Sequence, residues 1–237
     1  MQQSAVIAQG RASPGVAGLA PSALLQMKIQ LVNPRTLSNT PSVLTHPRLK
    51  EFYSDMLFML YSTIWATVPL LEAACKVSQE LAASDAVARG LAPYYETHAA
   101  EELHHDEWML EDMEVLGMDR AEILRRLPPA TLAEVVGAQY YWIYHYHPVA
   151  LLGYLAALET DPVPASVVEK AAAESGVPRA AFRTVLLHAE HDFDHRDELN
   201  RLIDRLPLEP HHVKVISESA MRVAAAYDEA FTSILPD

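Results

Sequence analysis

The chain has 237 residues, half of them apolar, with 31 acidic and 18 basic side chains and a net charge of −13. A chain of this length can form one large domain or two small ones. Its charge has the wrong sign for a nucleic-acid-binding surface, which needs a basic patch. The single cysteine, Cys75, excludes an internal disulfide framework and any metal site built from several thiolates.

The first 22 residues contain small side chains, two prolines and one arginine, without the apolar core of a signal sequence. We predict a mobile N-terminal tail over 1–22, followed by one domain over 23–237. No apolar run reaches the roughly 20 residues that a membrane-spanning helix needs. Together with the single cysteine, these features predict a cytoplasmic chain that contacts neither a membrane nor nucleic acid.

Helical periodicity recurs along the rest of the chain, and no strand pattern competes with it. Prolines and glycines separate the periodic stretches, as at Gly117 and Gly176, while Ser84-Asp85 can cap a helix start. The predicted fold class is all-α, a single-domain bundle of seven or eight helices. Long stretches of helical periodicity cover 47–81, 85–116, 130–146, 148–159, 178–206 and 211–234, and shorter stretches lie near 23–32, 119–126 and 165–175.

His188, Asp192 and His195 stand at positions i, i+4 and i+7 of one predicted helix. This spacing puts two imidazoles and a carboxylate on one helix face. Such a set suits iron, manganese or zinc. The alternative is an ordinary solvated helix face, because other charged residues lie nearby.

A second helix carries two overlapping pairs with a spacing of three residues. Glu102 and His105 continue a stripe of apolar positions, whereas Glu101 and His104 fall on a more polar flank. We therefore predict that Glu102 and His105 point inward. His98, one turn earlier on the same stripe, and Glu101 are possible extra ligands or outer contacts.

Two further acids, Glu72 and Glu159, lie inside apolar stretches and need partners if they are buried. With Glu102 and Asp192 they make four inward carboxylates. Four inward carboxylates would cost more than the net stability of a domain, whereas two divalent cations would cancel their charge. Oxygen and nitrogen ligands without thiolate favour iron or manganese over a structural zinc site. The predicted metal ligands are Glu72, Glu102, His105, Glu159, His188, Asp192 and His195.

Two other cofactor arrangements fit the pattern less well. A ferritin-like site would need a second Glu-x-x-His motif, and Glu209-x-x-His212 is interrupted at a helix boundary by Pro210. A heme site needs an axial histidine, and a group of inward acids would be unfavourable beside a porphyrin.

The substrate side is less defined by the pattern. The aromatic run over 139–147 is a candidate pocket wall, with ordinary core packing as the alternative for each ring. Tyr95, Tyr141 and Tyr154 are the candidate pocket residues. Glu198 is a candidate hydrogen-bond acceptor for a ligand imidazole.

Four marks occur in order over about residues 47–206: Pro-Leu-Leu-Glu72, Glu102-x-x-His105 followed by Trp108 and Leu116-Gly117, Gly153-Tyr154 with Leu158-Glu159, and His188-x-x-x-Asp192-x-x-His195. Through these marks the chain resembles the heme-oxygenase-like diiron oxidases. The resemblance leaves open whether His98 or Glu102 supplies the ligand on the second metal-binding helix.

The resemblance implies a heme-oxygenase-like bundle that holds two Fe²⁺ ions on the seven predicted ligands and uses O₂ as co-substrate. It implies oxidation of a small amine, amino acid or fatty acid by N-oxygenation or oxidative C–C cleavage. One alternative is a metal-free enzyme of the same fold, of the thiaminase or quinone-biosynthesis type. Another is a non-catalytic binding protein. The sequence does not determine the oligomeric state, and a homodimer is the default expectation.

Overall fold

A computed structural model describes residues 18–32, 43–159 and 162–236. These residues form ten α-helices of at least six residues and no strand, which confirms the predicted all-α class. Most of the predicted tail lies outside the described residues, and the first helix begins two residues earlier than predicted. The helices are α1 (Pro21–Val32), α2 (Leu49–Leu81), α3 (Ala86–Glu101), α4 (His105–Val115), α5 (Arg120–Arg125), α6 (Ala130–His145), α7 (Leu151–Glu159), α8 (Ala165–Glu174), α9 (Arg183–Arg205) and α10 (Pro210–Ile234).

Local capping explains several of the helix boundaries. The Asp85 carboxylate accepts a hydrogen bond from the Ala88 amide at 2.9 Å and caps α3. Asp119 caps α5 in the same way through the Glu122 amide. Gly117 follows α4 with a φ of 85°, a conformation that favours glycine because it lacks a Cβ.

Helix α2 is the central element of the bundle. It packs along α3, α4 and α6 and also contacts α7 and α10. Among the described residues, it is the one helix whose length and composition would allow it to cross a membrane. However, 61% of its most apolar window is buried by the surrounding helices. That burial is consistent with the core helix of a soluble protein.

The predicted helix over 85–116 is divided into α3 and α4 by a turn at Glu102–His104. His104 adopts the left-handed conformation with a φ of 73°. A residue in that conformation cannot continue a right-handed helix, so the chain changes direction there. This break is one reason why the structure has more helices than predicted.

Helices α7 and α10 approach each other closely at Gly153. A Cβ on this glycine would lie 2.1 Å from the carbonyl oxygen of Ile216 and 2.9 Å from the Ala220 nitrogen. Neither atom belongs to a flexible side chain, so the backbones would have to separate. The absence of a side chain at Gly153 therefore sets the distance between α7, which carries Glu159, and α10.

We expect Gly153→Ala to lower the free energy of unfolding by about 1–3 kcal/mol, because the added methyl group overpacks the α7–α10 contact. Urea unfolding followed by circular dichroism measures the change. Gly137→Ala in α6 is the matched control, since no atom lies within 4 Å of its would-be Cβ. That substitution should raise stability by about 0.5–1 kcal/mol. Equal effects at the two glycines would contradict the close approach.

Candidate metal centre

A cavity of about 190 Å³ lies among α2, α3, α4, α7, α9 and α10. Most of its lining is apolar, but one side is formed by ionisable side chains from α3, α7, α9 and the turn after α3. These side chains are His98, Glu102, Glu159, His188, Asp192 and His195.

The first group of possible metal ligands is Glu102, His105 and His188, whose nearest ligand atoms lie within 4.8 Å of one another. His105 Nδ1 donates to Glu102 Oε2 at 3.1 Å. His188 Nδ1 lies 2.9 Å from the Thr184 carbonyl oxygen, so it must carry the proton and donate it. The lone pair of His188 is thereby placed on Nε2. This tautomer is typical of metal-ligating histidines, whose second nitrogen donates to a carbonyl.

The second group is His98, Glu101 and His195, again within 4.8 Å of one another. Glu101 Oε2 lies 3.7 Å from both His98 Nδ1 and His195 Nε2. Glu102 links the two groups, because its Oε1 lies 3.9 Å from His195 Nδ1 while its Oε2 faces His105. The two groups are therefore adjacent and share one carboxylate.

Two more carboxylates complete the cluster. Glu159, at the end of α7, places Oε1 3.2 Å from His98 Nε2. Its Oε2 is buried without a hydrogen-bond partner among the described residues. A buried carboxylate oxygen without a partner is costly, and a bound cation would satisfy it. Asp192 lines the same cavity from α9.

The carboxyl groups differ in their tendency to ionise. Burial opposes ionisation of Glu102, but the hydrogen bond from His105 and the nearby His188 outweigh it and lower its pKa to about 2. Burial, together with the negative charges of Glu159 and Glu102, raises the pKa of Asp192 to about 8. Without a cation, Asp192 therefore holds a proton at neutral pH, which a bound metal would displace.

The donor set fits one or two divalent transition-metal ions. It combines imidazole nitrogens and carboxylate oxygens from four helices and contains no thiolate, a composition that suits iron or manganese. The unsatisfied Glu159 oxygen and the oriented His188 ring support the same conclusion.

A family model described as iron-containing redox enzyme matches residues 73–228. The chain belongs to this family. A solved structure from Shewanella denitrificans, a domain of unknown function with a heme oxygenase-like fold, is also similar. It aligns with 90% of this chain and 89% of that chain, with a TM-score of 0.67 and 18% identity. This similarity shows that the fold is heme-oxygenase-like, as the resemblance implied. No curated protein matches the chain.

Most of the predicted ligands of this iron-containing redox enzyme meet at the cavity. Glu102 and His105 are buried whereas Glu101 and His104 are exposed, as the apolar stripe predicted. His98 is fully enclosed and stands between Glu159 and His195, closer to the cluster than the sequence pattern indicated. Their roles as metal ligands remain predictions.

The prediction that Glu72 points inward is wrong. Glu72 is exposed on α2 in a stripe with Trp65, Pro69 and Lys76, at helical spacing. Burial raises the pKa of the Tyr140 hydroxyl on α6, and the charges of Tyr144 and Glu72 raise it as well. Glu72 therefore acts on α6 rather than on the cluster. The apolar neighbours that suggested burial face the other sides of the helix.

The three candidate pocket tyrosines do not line the cavity. Tyr95 is buried and donates to the Pro148 carbonyl at 2.9 Å, which is a structural role. Tyr141 is 59% exposed and contacts Trp142 and His145, and no residue of the aromatic run lines this cavity. Tyr154 is fully buried behind the cavity, where burial raises the pKa of its hydroxyl.

Glu198, the candidate acceptor for a ligand imidazole, is exposed on α9. Its charge, together with burial and Glu159, raises the pKa of the Tyr94 hydroxyl. Tyr94 in turn stacks on His98 with ring centroids 5.5 Å apart. Glu198 therefore acts electrostatically on Tyr94, which contacts the cluster, and among the described residues it makes no hydrogen bond to a cluster histidine.

The Glu209-x-x-His212 motif forms no second ferritin-like ligand pair. His212 Nδ1 accepts from the Glu209 amide in a capping box at the start of α10. His212 lies near Asp85 and His147 in a third histidine–carboxylate group. His147 Nδ1 likewise accepts from the Val149 amide. The neutral rings of both histidines therefore carry their protons on Nε2, which leaves that nitrogen without a lone pair for a metal.

Sequence reasoning missed Thr63, Thr67, Tyr227 and Phe231, which line the cavity from α2 and α10. Tyr227 and Phe231 were recognisable only as part of an apolar stripe. The two threonines gave no signal, because isolated hydroxyls in an apolar helix are common and bond to the preceding turn.

We expect the turn at His104 to prefer glycine over a β-branched residue. At position 104, Gly should be more stable than Val by at least about 1 kcal/mol, because a Cβ is strained in the left-handed conformation. At the neighbouring exposed Leu103, which lacks a positive φ, the order should reverse. Urea unfolding of the four variants tests this, and the same order at both positions would contradict the strained turn.

Asp192 should make the metal-free protein less stable at high pH. Its folded-state pKa of about 8 exceeds the 3.8 of an exposed aspartate. Its stability contribution is therefore complete below the unfolded pKa and lost as pH rises through the folded pKa. Between about pH 5 and 8, chelator-treated wild type should lose stability relative to Asp192→Asn. Asp194→Asn, exposed on the same helix, should follow wild type. Parallel curves for wild type and Asp192→Asn would refute the expectation.

Proposed function

We propose that this member of the iron-containing redox enzyme family is a non-heme diiron oxidase that uses O₂ to oxidise a small molecule. The observation that carries the proposal is the pair of adjacent ligand groups joined by Glu102. Each group offers at least one imidazole and one carboxylate, and both lie beside one apolar cavity. A single structural ion would need only one such group.

In the proposed enzyme, Glu102, His105 and His188 would hold one ion, and His98, His195 and Glu101 would hold the other. Glu159 and Asp192 provide additional carboxylate oxygens at the same cavity. Two ferrous ions bound here would supply the electrons and the Lewis acidity for reaction with O₂.

The protein's own contribution is to orient the ligands and to exclude water. The Thr184 carbonyl fixes the His188 ring, and Tyr94 stacks on His98. The apolar lining from α2 and α10 limits water around the reacting atoms, which strengthens electrostatic interactions there. We propose a small-molecule substrate and no nucleic-acid or membrane partner.

Anaerobic loading with Fe(II) should give about two iron ions per chain, measured by a colorimetric iron assay after gel filtration. His188→Ala and His195→Ala each remove one ligand from a different group. Each should lower the iron content towards about one ion per chain and reduce O₂ consumption by at least about tenfold.

His191→Ala is the matched control, because His191 is exposed on the same helix between the two ligands. It should retain the iron content and O₂ consumption of wild type. Wild-type protein that binds no iron would point instead to a metal-free enzyme of this fold. Unchanged iron content in both His188→Ala and His195→Ala would also overturn the proposal.

A further inference from the structure

Helix α9 carries three of the proposed ligands, and the residue before it cannot cap it. Phe182 has an apolar side chain that accepts no hydrogen bond from the first amides of the helix. Those amides have no partner within the helix and need one elsewhere. Helices α3 and α5, by contrast, are capped by the aspartates that precede them. For α9 the partner comes from another helix.

Asp112 of α4 supplies this cap. Its Oδ2 accepts a hydrogen bond of 2.8 Å from the Thr184 amide in the first turn of α9. The Asp112 residue is 1% exposed, so the bond is sheltered from water. A carboxylate at the N-terminus of a helix is also favoured by the helix dipole. The bond spans 72 positions in the chain and ties two separate helices together.

Arg183, beside the capped amide, connects the same two helices at the surface. Its guanidinium pairs with Glu111 at 2.8 Å and donates to the Trp108 carbonyl at 3.0 Å. The Arg183 and Glu111 side chains are each about half exposed, and solvent weakens such pairs. The buried bond from the Thr184 amide to Asp112 is therefore the firmer connection between α4 and α9.

The residue that Asp112 holds also orients a proposed ligand. The Thr184 carbonyl oxygen accepts from His188 Nδ1 at 2.9 Å, which leaves the lone pair of the ring on Nε2. Thr184 is therefore held on both sides, through its amide by Asp112 and through its carbonyl by His188. Neither Asp112 nor Thr184 lines the cavity. A chain of hydrogen bonds thus reaches the imidazole from outside the site.

Two contacts set how α9 lies against α4. His105 opens α4, and its ring meets that of His188 with centroids 4.9 Å apart. Asp112 follows two turns later on the same face of α4 and meets Thr184, one turn before His188. A shift of α9 by one residue would move its side chains by about 1.5 Å and turn them by about 100°. The Asp112–Thr184 bond opposes such a shift and thereby keeps His188 opposite His105.

We propose that Asp112 is a positioning residue of the metal centre, which acts through the Thr184 amide to fix the register of α9 and the orientation of His188. This inference rests on the proposed function, in which His188 is a metal ligand. Asp112 lies outside the cavity, so its effect passes through Thr184. The hydrogen bond carries the effect rather than the charge, because the amide needs only an acceptor oxygen at this place.

Titration of the metal-free protein with Co(II), followed by visible absorption, measures the affinity of the site and the geometry of its ligands. Asp112→Ala removes the acceptor, so it should weaken Co(II) binding by at least about tenfold and change the absorption bands. Asp112→Asn keeps an acceptor oxygen, and it should restore near-wild-type affinity and bands. Full Co(II) affinity in Asp112→Ala would overturn the proposal, as would lost affinity in Asp112→Asn.

Two controls separate positioning from stability. Glu111→Ala removes the exposed ion pair between the same helices and should leave Co(II) binding unchanged. Val135→Ala removes buried contacts on α6 outside the cavity, so it should lower resistance to urea without changing the Co(II) bands. A loss of Co(II) affinity in either control as large as that in Asp112→Ala would contradict a specific role for Asp112.

The His188 ring gives a readout that needs no metal. In metal-free wild type, ¹⁵N NMR of labelled histidine should show the His188 proton on Nδ1, as the bond to the Thr184 carbonyl requires. Asp112→Ala should shift the ring towards the tautomer with its proton on Nε2, whereas Asp112→Asn should keep the wild-type tautomer. An unchanged tautomer in Asp112→Ala would contradict the proposed chain of hydrogen bonds.

These measurements also decide the remaining outcomes. If Asp112→Ala does not fold, a wild-type His188 with its proton on Nε2, or an Asp112→Asn variant that has lost Co(II) binding, would still overturn the proposal. Wild-type protein that binds no Co(II) would defeat the proposed metal centre itself, while the tautomer comparison would still test Asp112. Equal Co(II) binding by wild type and Asp112→Ala would defeat only the positioning role.

Discussion

The structure depends on the enclosure of carboxylates among histidines where four helices meet. Glu102, Glu159 and Asp192 face one cavity, which no lysine or arginine of the described residues lines. Such burial is costly unless protons or cations compensate the charge. In the protein alone, histidines compensate Glu102, whereas Asp192 is compensated by a proton. The cluster therefore has the electrostatic character of a site that is completed by cations.

The fold supports this cluster with elements that are not themselves ligands. The left-handed turn at His104 allows Glu102 and His105 to approach the cavity from two helix directions rather than from one helix face. Close packing at Gly153 sets the position of α7 and hence of Glu159. Strained backbone conformations such as that of His104 are concentrated at functional sites.

The cavity is divided chemically into two sides. Ligands come from α3, α4, α7 and α9, whereas α2 and α10 provide an apolar surface on which the hydroxyls are satisfied internally. The family establishes an iron-containing redox enzyme. The division adds a reason for proposing a diiron oxidase, because the ionisable side chains that could hold metals are gathered on one side of the cavity.

The sequence predicted the burial of Glu102 and His105 but not the turn between them. By itself it determined the helical class and the shared face of His188, Asp192 and His195 on one helix. These depend on periodicity within a short stretch, which is a local property. It could not determine that Glu72 faces solvent or that Tyr141 is exposed, because an apolar neighbourhood does not fix which face of a helix meets the core. Only the tertiary structure brought His98 to Glu159 and opened the cavity towards α2 and α10. Those contacts depend on the angles and distances between helices, which are set by the packing of the whole bundle.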